Sequence, residues 1–223
     1  MVINLKKDVN KKYVKISKKN AILAVEILNK EYSDARCGLN FNSSLELTIA
    51  LILAAQCTDE RVNKIIPILF NKYSNVYELA NANISDIQEI IKPCGFYFNK
   101  SKSIIETSNL IVEKFNGKVP DNMKDLTSLK GIGRKSANII LQECFNNTVG
   151  IAVDTHVTRI SRKIGLSNSN TPEKIEQDLI AIFDKKYWNR INHIFVCHGR
   201  AICIARRPKC NICPINHICS KNE

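Results

Sequence analysis

No apolar run in this 223-residue chain approaches the roughly 18 residues that a membrane-spanning helix requires. The start is basic but lacks the apolar core and small-residue cleavage site of a secretory signal, so a soluble, intracellular protein is expected. Period-2 alternation is missing over any useful length, which argues against β-sheets, and neither an internal repeat nor a low-complexity linker interrupts the chain. Acid is scarce relative to base: 21 Asp and Glu stand against 33 Lys and Arg, a formal net charge of +12. Such an excess favours a polyanion, because clustered cations on phosphates release condensed counterions. Nucleic acid is the leading candidate and an anionic membrane surface the other. Much of the charge lies in residues 1–20, where Lys6, Lys7, Lys11, Lys12, Lys15, Lys18 and Lys19 face the lone acid Asp8. That segment reads equally as a solvated tail or as an arm that grips DNA.

What is present is helical. Apolar residues make up 44% of the chain, enough for a real core. Val62, Ile65, Ile66 and Leu69 recur at helical spacing behind a Thr58 cap with Asp59 and Glu60 in the first turn, and Pro67 is expected to kink or end that helix. Ser85 is expected to cap a helix through Ile87, Ile90 and Ile91. Ile104, Ser108, Ile111, Val112 and Phe115 form the next stripe, closed by Gly117 and Pro120. Thr171 and Pro172 open a helix carrying Ile175, Leu179, Ile182 and Phe183. The expected fold class is all-α.

The stretch "LKGIGRKSANIIL" begins at Leu129. Residues 123–129 read as a short helix, 131–133 as a tight turn, and Arg134–Phe145 as a second helix burying Ala137, Ile140, Leu141 and Cys144. Gly131 and Gly133 let the backbone approach another chain, and amide groups at a helix start suit a phosphate. By itself this is as consistent with a plain αα-hairpin as with a phosphate site, and a lysine in a first helical turn is ordinarily a solvated surface residue. "LKGIGRKSA" resembles the helix-hairpin-helix of the endonuclease III family of DNA base-excision glycosylases. The resemblance makes Lys135 the nucleophile and Arg134 a DNA contact. Lys130 departs from it, since relatives often carry proline there. An amine that attacks the sugar C1′ must be neutral. A helix start disfavours an ammonium by only about 0.3 to 2 kcal/mol. Desolvation in a closed pocket is therefore expected to supply the rest.

In "VGIAVDTHVTRISRKIG", Asp154 sits just before a helical segment and reads first as an N-cap. The segment resembles the family's "VDTH" signature, which implies a second catalytic role for Asp154: stabilising charge developing at C1′ and assisting proton transfer. His156 resembles the family's histidine near the same site and is equally well read as a structural histidine.

Nine cysteines are unevenly spread: Cys37, Cys57, Cys94 and Cys144 are scattered, and Cys197 reads as a core thiol. Cys203, Cys210, Cys213 and Cys219 form C-x6-C-x2-C-x5-C. Four thiolates can hold Zn²⁺ or an iron–sulfur cluster, but zinc sites usually come as two short pairs. The spacing, with "HGR" at His198 to Arg200, resembles the family's [4Fe-4S] motif. Arg206, Arg207 and Lys209 lie between the first two ligands and suit a phosphate-gripping loop.

Two further stretches extend the resemblance, which runs over residues 21–219. "LAAQCTDERVNK" is similar to the family segment whose glutamine, here Gln56, enters the gap left by an extruded nucleotide. "CGFYFNKSKSI" is similar to the loop with an apolar wedge, here Phe96. The resemblance implies two helical domains with DNA between them. Residues 37–148 would form a central barrel carrying the hairpin of residues 123–145. Residues 1–36 with 149–223 would carry Asp154 and the cluster loop of residues 203–219. It further implies a bifunctional DNA glycosylase and AP lyase acting on oxidised pyrimidines in duplex DNA, expected to be monomeric, cytoplasmic and associated with a bacterial nucleoid. The alternatives are an adenine or mismatch glycosylase, against which Lys135 and the end of the chain at Glu223 count, and a noncatalytic hairpin protein that binds DNA.

Overall fold

Among the described residues, 13–221, every regular element of the computed structural model is helical. No helix there is long and apolar enough to cross a membrane. Lys6, Lys7, Lys11 and Lys12 of the candidate arm lie outside the described residues; Lys15, Lys18 and Lys19 are exposed. Backbone contacts divide the chain into two units. One is Cys37–Ala152, four residues longer at its end than the sequence suggested; the other comprises the described residues up to Arg36 and from Val153 onward.

The inner unit holds α2 (Ser44–Ala54), α3 (Asp59–Lys72), α4 (Val76–Ala80), α5 (Ile84–Ile91), α6 (Tyr97–Phe115), α7 (Met123–Leu126) and α8 (Arg134–Phe145). Helix α2 is its centre. Leu47, Thr48, Ile49, Ala50, Leu51, Ile52 and Leu53 are all buried, so the helix is covered on every side, packing on α3, α6 and α8. A helix that is apolar all round has no stable place except inside a core. Its start is a capping box: Ser43 Oγ accepts from Glu46 N, and the Glu46 carboxylate reaches back to Asn42 N. Each fully buried Leu or Ile contributes about 1.5–3 kcal/mol.

Three local expectations are corrected. Pro67 lies inside α3 without ending it. The proline is on the exposed face, where water can take the Asn63 carbonyl that loses its amide partner. The cap of α5 is Asn83, whose Oδ1 accepts from Ser85 N at 3.0 Å and from Ser85 Oγ at 2.8 Å, so Ser85 is the capped residue. The short helix before the glycine turn stops at Leu126, after which Thr127, Ser128 and Leu129 continue as turns bonded to α7 carbonyls.

The other unit holds α1 (Lys18–Glu31), α9 (Thr155–Ile164), α10 (Pro172–Ile182) and α11 (Lys185–Ala201), followed by the cysteine loop. Helix α11 packs on α1 and α9. Arg190 of α11 fastens the chain that follows α1: its guanidinium donates to the carbonyls of Tyr32, Ser33 and Ala35 and to Asn29 Oδ1. One planar fork thus satisfies carbonyls that a helix end leaves without amides.

Candidate nucleic-acid interface and cluster loop

Within the inner unit, three exposed segments are anchored on α2 and α6. The glycine turn has Gly131 at φ +83°, a left-handed backbone that an L side chain adopts only with strain. A Cβ there would lie 3.4 Å from Ile52 of α2 and 3.5 Å from Ser103 of α6, which places the turn against both helices. Thr107 Oγ1 donates to Lys130 O at 2.9 Å and braces the turn where relatives often have proline. Gly133 is different. It is the N-cap of α8 with extended backbone, and a Cβ added to it would meet nothing within 4 Å. The chain's own packing therefore does not require glycine at 133.

Arg134 and Lys135 are the first two residues of α8, and both are exposed. The closed pocket expected around Lys135 is thus not formed by its neighbours in the free protein. Helix α2 ends at Ala54, and Gln56 follows it, exposed and left-handed at φ +53°. Helix α6 begins after Phe96, which is 61% exposed and left-handed at φ +48°. Left-handed non-glycine residues cost about 1–3 kcal/mol each and persist where the surrounding structure holds them. Phe98 is exposed as well, with its ring 4.3 Å from that of Tyr97.

A residue that sequence reasoning passed over lies beneath both loops. Lys100 is 5% exposed, and its Nζ donates to Leu53 O at 2.9 Å and Cys94 O at 2.8 Å. Burial pushes its pKa below the ordinary lysine value, and burial pushes the adjacent Cys94 thiol up to about 11, so Cys94 is neutral and supplies no counter-charge. The sequence signal was slight: a lysine two residues after the aromatic pair Tyr97 and Phe98 in the first turn of α6.

In the other unit, Asp154 is the N-cap of α9, its Oδ1 accepting from Val157 N at 2.8 Å. With Thr158, Arg159, Arg162 and Lys163 it lines an open hollow of about 530 Å³. His156 Nδ1 sits 3.1 Å from Arg159 Nη2, and a Cβ on Gly199 would come within 2.5 Å of the same nitrogen. His156 therefore has a packing role against α11, and the glycine of "HGR" makes room for it. Burial, more than the nearby Arg159 and Arg200 charges, lowers the His156 pKa, against the pull of Asp154. Arg159 also donates to Cys203 O and Gly199 O, tying α9 to the start of the cysteine loop.

Cys203, Cys210, Cys213 and Cys219 line one cavity of about 200 Å³ together with Ile160, Ile164, Ile202, Ile215 and His198. Four sulfurs bound to one zinc at about 2.3 Å would lie about 3.8 Å apart and leave no such space. Among the described residues no three His, Cys, Asp or Glu side chains meet closely enough for a single ion. An all-thiolate set around an apolar cavity fits a polynuclear iron–sulfur cluster. Burial, helped by the other cysteines and opposed by backbone amides and by Arg159, Lys163 and Lys221, keeps the Cys203, Cys213 and Cys219 thiols above their ordinary pKa, an expense that iron ligation offsets. His198 is 1% exposed, with Nε2 3.6 Å from Cys213 Sγ and Nδ1 3.1 Å from the Tyr32 hydroxyl. Burial, with Arg159 nearby, pushes its pKa down to about 4, so it is neutral. Arg206, Arg207 and Lys209 are exposed on the loop between Cys203 and Cys210.

The model of the HhH-GPD superfamily base excision DNA repair protein matches residues 49–185, and the iron-sulfur binding domain of endonuclease III matches residues 203–219. The endonuclease III of Synechocystis sp. is 41% identical over 202 residues, 91% of this chain and 92% of its own length. The chain belongs to the endonuclease III family. The endonuclease III of Bacillus subtilis is 34% identical over 86% of this chain and 88% of its own. Among solved structures, a trapped endonuclease III–DNA covalent intermediate aligns with a TM-score of 0.88 at 33% identity, covering 92% of this chain and 97% of that one. A thermostable thymine-DNA glycosylase shares the fold at a TM-score of 0.80 and 22% identity. The 203–219 loop is thus the family's iron–sulfur domain, and its cofactor is a [4Fe-4S] cluster.

Proposed function

We propose that Lys135 is the nucleophile of this endonuclease III family member and that its substrates are oxidised pyrimidines in duplex DNA. The protein is a base-excision DNA glycosylase and AP lyase, and it binds DNA. The observation that carries the residue assignment is the exposed Lys135 in the first turn of α8, directly after a two-glycine turn whose second glycine serves no packing need.

The neutral Lys135 amine attacks C1′, the C1′–N bond to the damaged base breaks, and the base leaves with its electron pair and takes up a proton. Loss of the amine proton and opening of the sugar ring give a Schiff base. Removal of a C2′ proton then expels the 3′ phosphate by β-elimination. Asp154 serves the same reaction as an anion that stabilises positive charge on the sugar and accepts protons. Because Lys135 is exposed in the free protein, its desolvation is assigned to the moment the extruded nucleotide covers it. Gln56 and Phe96 fill the vacated stack. The turn at Gly131 and Gly133 brings the amides at the start of α8, with Arg134, to the phosphate backbone, which they hold without reading sequence. Cys203, Cys210, Cys213 and Cys219 would hold the cluster, which fixes the loop presenting Arg206, Arg207 and Lys209 to phosphates. His156 supports the Asp154 segment through Arg159. A monomer suffices for this chemistry.

Borohydride trapping on an abasic duplex tests the assignment. The wild-type protein should give a covalent adduct, and Lys135→Gln should give none while still binding DNA. Undiminished trapping in that variant would remove Lys135 as the nucleophile. Duplexes carrying single defined lesions then test the preference for oxidised pyrimidines.

A further inference from the structure

Gln56 and Phe96 stand on loops far apart in the chain, yet a single buried side chain joins the loop bases. Where α2 stops, Cys57 N turns back to Ala54 O at 3.1 Å and does not continue the ladder to Leu53 O. Where the 3₁₀ turn Lys92–Cys94 stops, Gly95 N bonds to Lys92 O at 3.2 Å. Leu53 O and Cys94 O thus sit at the last carbonyls of two helical segments, where backbone donors run out. Lys100 Nζ takes both, at 2.9 and 2.8 Å. An ammonium in the first turn of α6 opposes the helix dipole, and burying it is costly unless its protons are satisfied. A leucine would fill the same space without that cost, so the position is suited to tying backbone and not to packing.

We propose that Lys100 is a positioning residue for nucleotide extrusion: its ammonium holds the end of α2 and the Lys92–Cys94 turn together, fixing Gln56 and Phe96 as a pair that enters the DNA stack. This rests on the assignment of Gln56 and Phe96 to the vacated space. The two left-handed residues each need a framework that over-determines their backbone, and the lysine supplies a shared one. Lys100 touches neither substrate nor reacting atoms; its effect passes through the two loops.

The test uses the holoenzyme and two substrates. A duplex lesion requires extrusion, whereas an abasic site in single-stranded DNA does not. Lys100→Met keeps the chain length and removes the donors. Its turnover on the duplex should fall by roughly ten- to a hundredfold, the range a misplaced positioning group produces. Strand cleavage of the single-stranded abasic oligonucleotide should stay at the wild-type rate. Equal losses on both substrates, or no loss on the duplex, would overturn the proposal. If Lys100→Met does not fold, Lys100→Gln, which keeps an amide donor, should show a smaller loss confined to the duplex; a loss on both substrates counts against the proposal. Gln56→Ala and Phe96→Ala separate the two levels. If they impair duplex turnover and Lys100→Met does not, only the role of Lys100 is refuted; if they leave duplex turnover intact, the reading of the loops itself has failed. In a Gln56→Ala/Phe96→Ala background the Lys100→Met change should add no further loss, and a fully multiplicative loss would refute action through the loops.

Discussion

Asp154 caps α9 and is proposed above to serve catalysis as well, and two substitutions can separate the two. Its Oδ1 accepts from Val157 N at 2.8 Å and starts α9, whose Val157, Ile160 and Ile164 are buried. Asp154→Ala removes the cap and should cost about 1 kcal/mol, within a range of 0.5–2. For a chain of this size that lowers Tm by about 2–4 °C per kcal/mol. Asp154→Asn keeps an oxygen at the same place and is an equally good cap. It forfeits only the charge at the helix start, about 0.3–1 kcal/mol at a partly exposed site. Catalysis sorts the variants differently. On the proposed mechanism both lack the anion assigned to the sugar's positive charge, so both should lose on the order of 10² to 10³ in single-turnover base release. The expected outcome is two variants close in activity and distinguishable in melting, with Asn nearer the wild type. Full activity in Asp154→Asn would show that the carboxylate is a cap alone. Melting of Asp154→Asn as low as that of Asp154→Ala would show that the cap does not depend on the side-chain oxygen.

The lowered His156 pKa makes stability depend on pH. The unfolded chain takes up its proton at the ordinary value of about 6.5, before the folded protein does, so this contribution is complete above about pH 6.5 and is lost as pH falls toward the lower folded value. Urea midpoints measured from about pH 7.5 to 5 should decline less steeply in His156→Gln, and an unchanged slope would assign the decline to other groups. Replacing Cys213 by Ser should abolish bound iron and the visible absorption of the cluster, and should loosen the loop that carries Arg206, Arg207 and Lys209. The dependence of DNA binding on salt should then flatten by up to about 2.7, which is about 0.9 for each of three phosphate contacts. Retained affinity with an unchanged salt slope would place the backbone contacts elsewhere.

The all-helical class was legible because helices leave a local record. The Thr58 cap ahead of the stripe from Val62 to Leu69 fixes the start of α3, and the two-glycine turn fixes that of α8. The lysine, the aspartate and the four cysteines could be nominated from family motifs because motifs depend on spacing along the chain. Pro67 and Ser85 misled for a local reason each: a helix tolerates proline on its wet face, and the cap fell two residues earlier, at Asn83. Other features had no local record at all. That Lys100 is buried and serves the Leu53 carbonyl, that Arg159 reaches Cys203, and that His198 meets Tyr32 are contacts between distant segments. Sequence by itself determined the helical class, the family and the list of candidate residues, since pattern and spacing are properties of the chain. Tertiary structure alone decided which are dry, which are tied and which stand exposed, because burial and hydrogen-bond partnership exist only once remote segments pack.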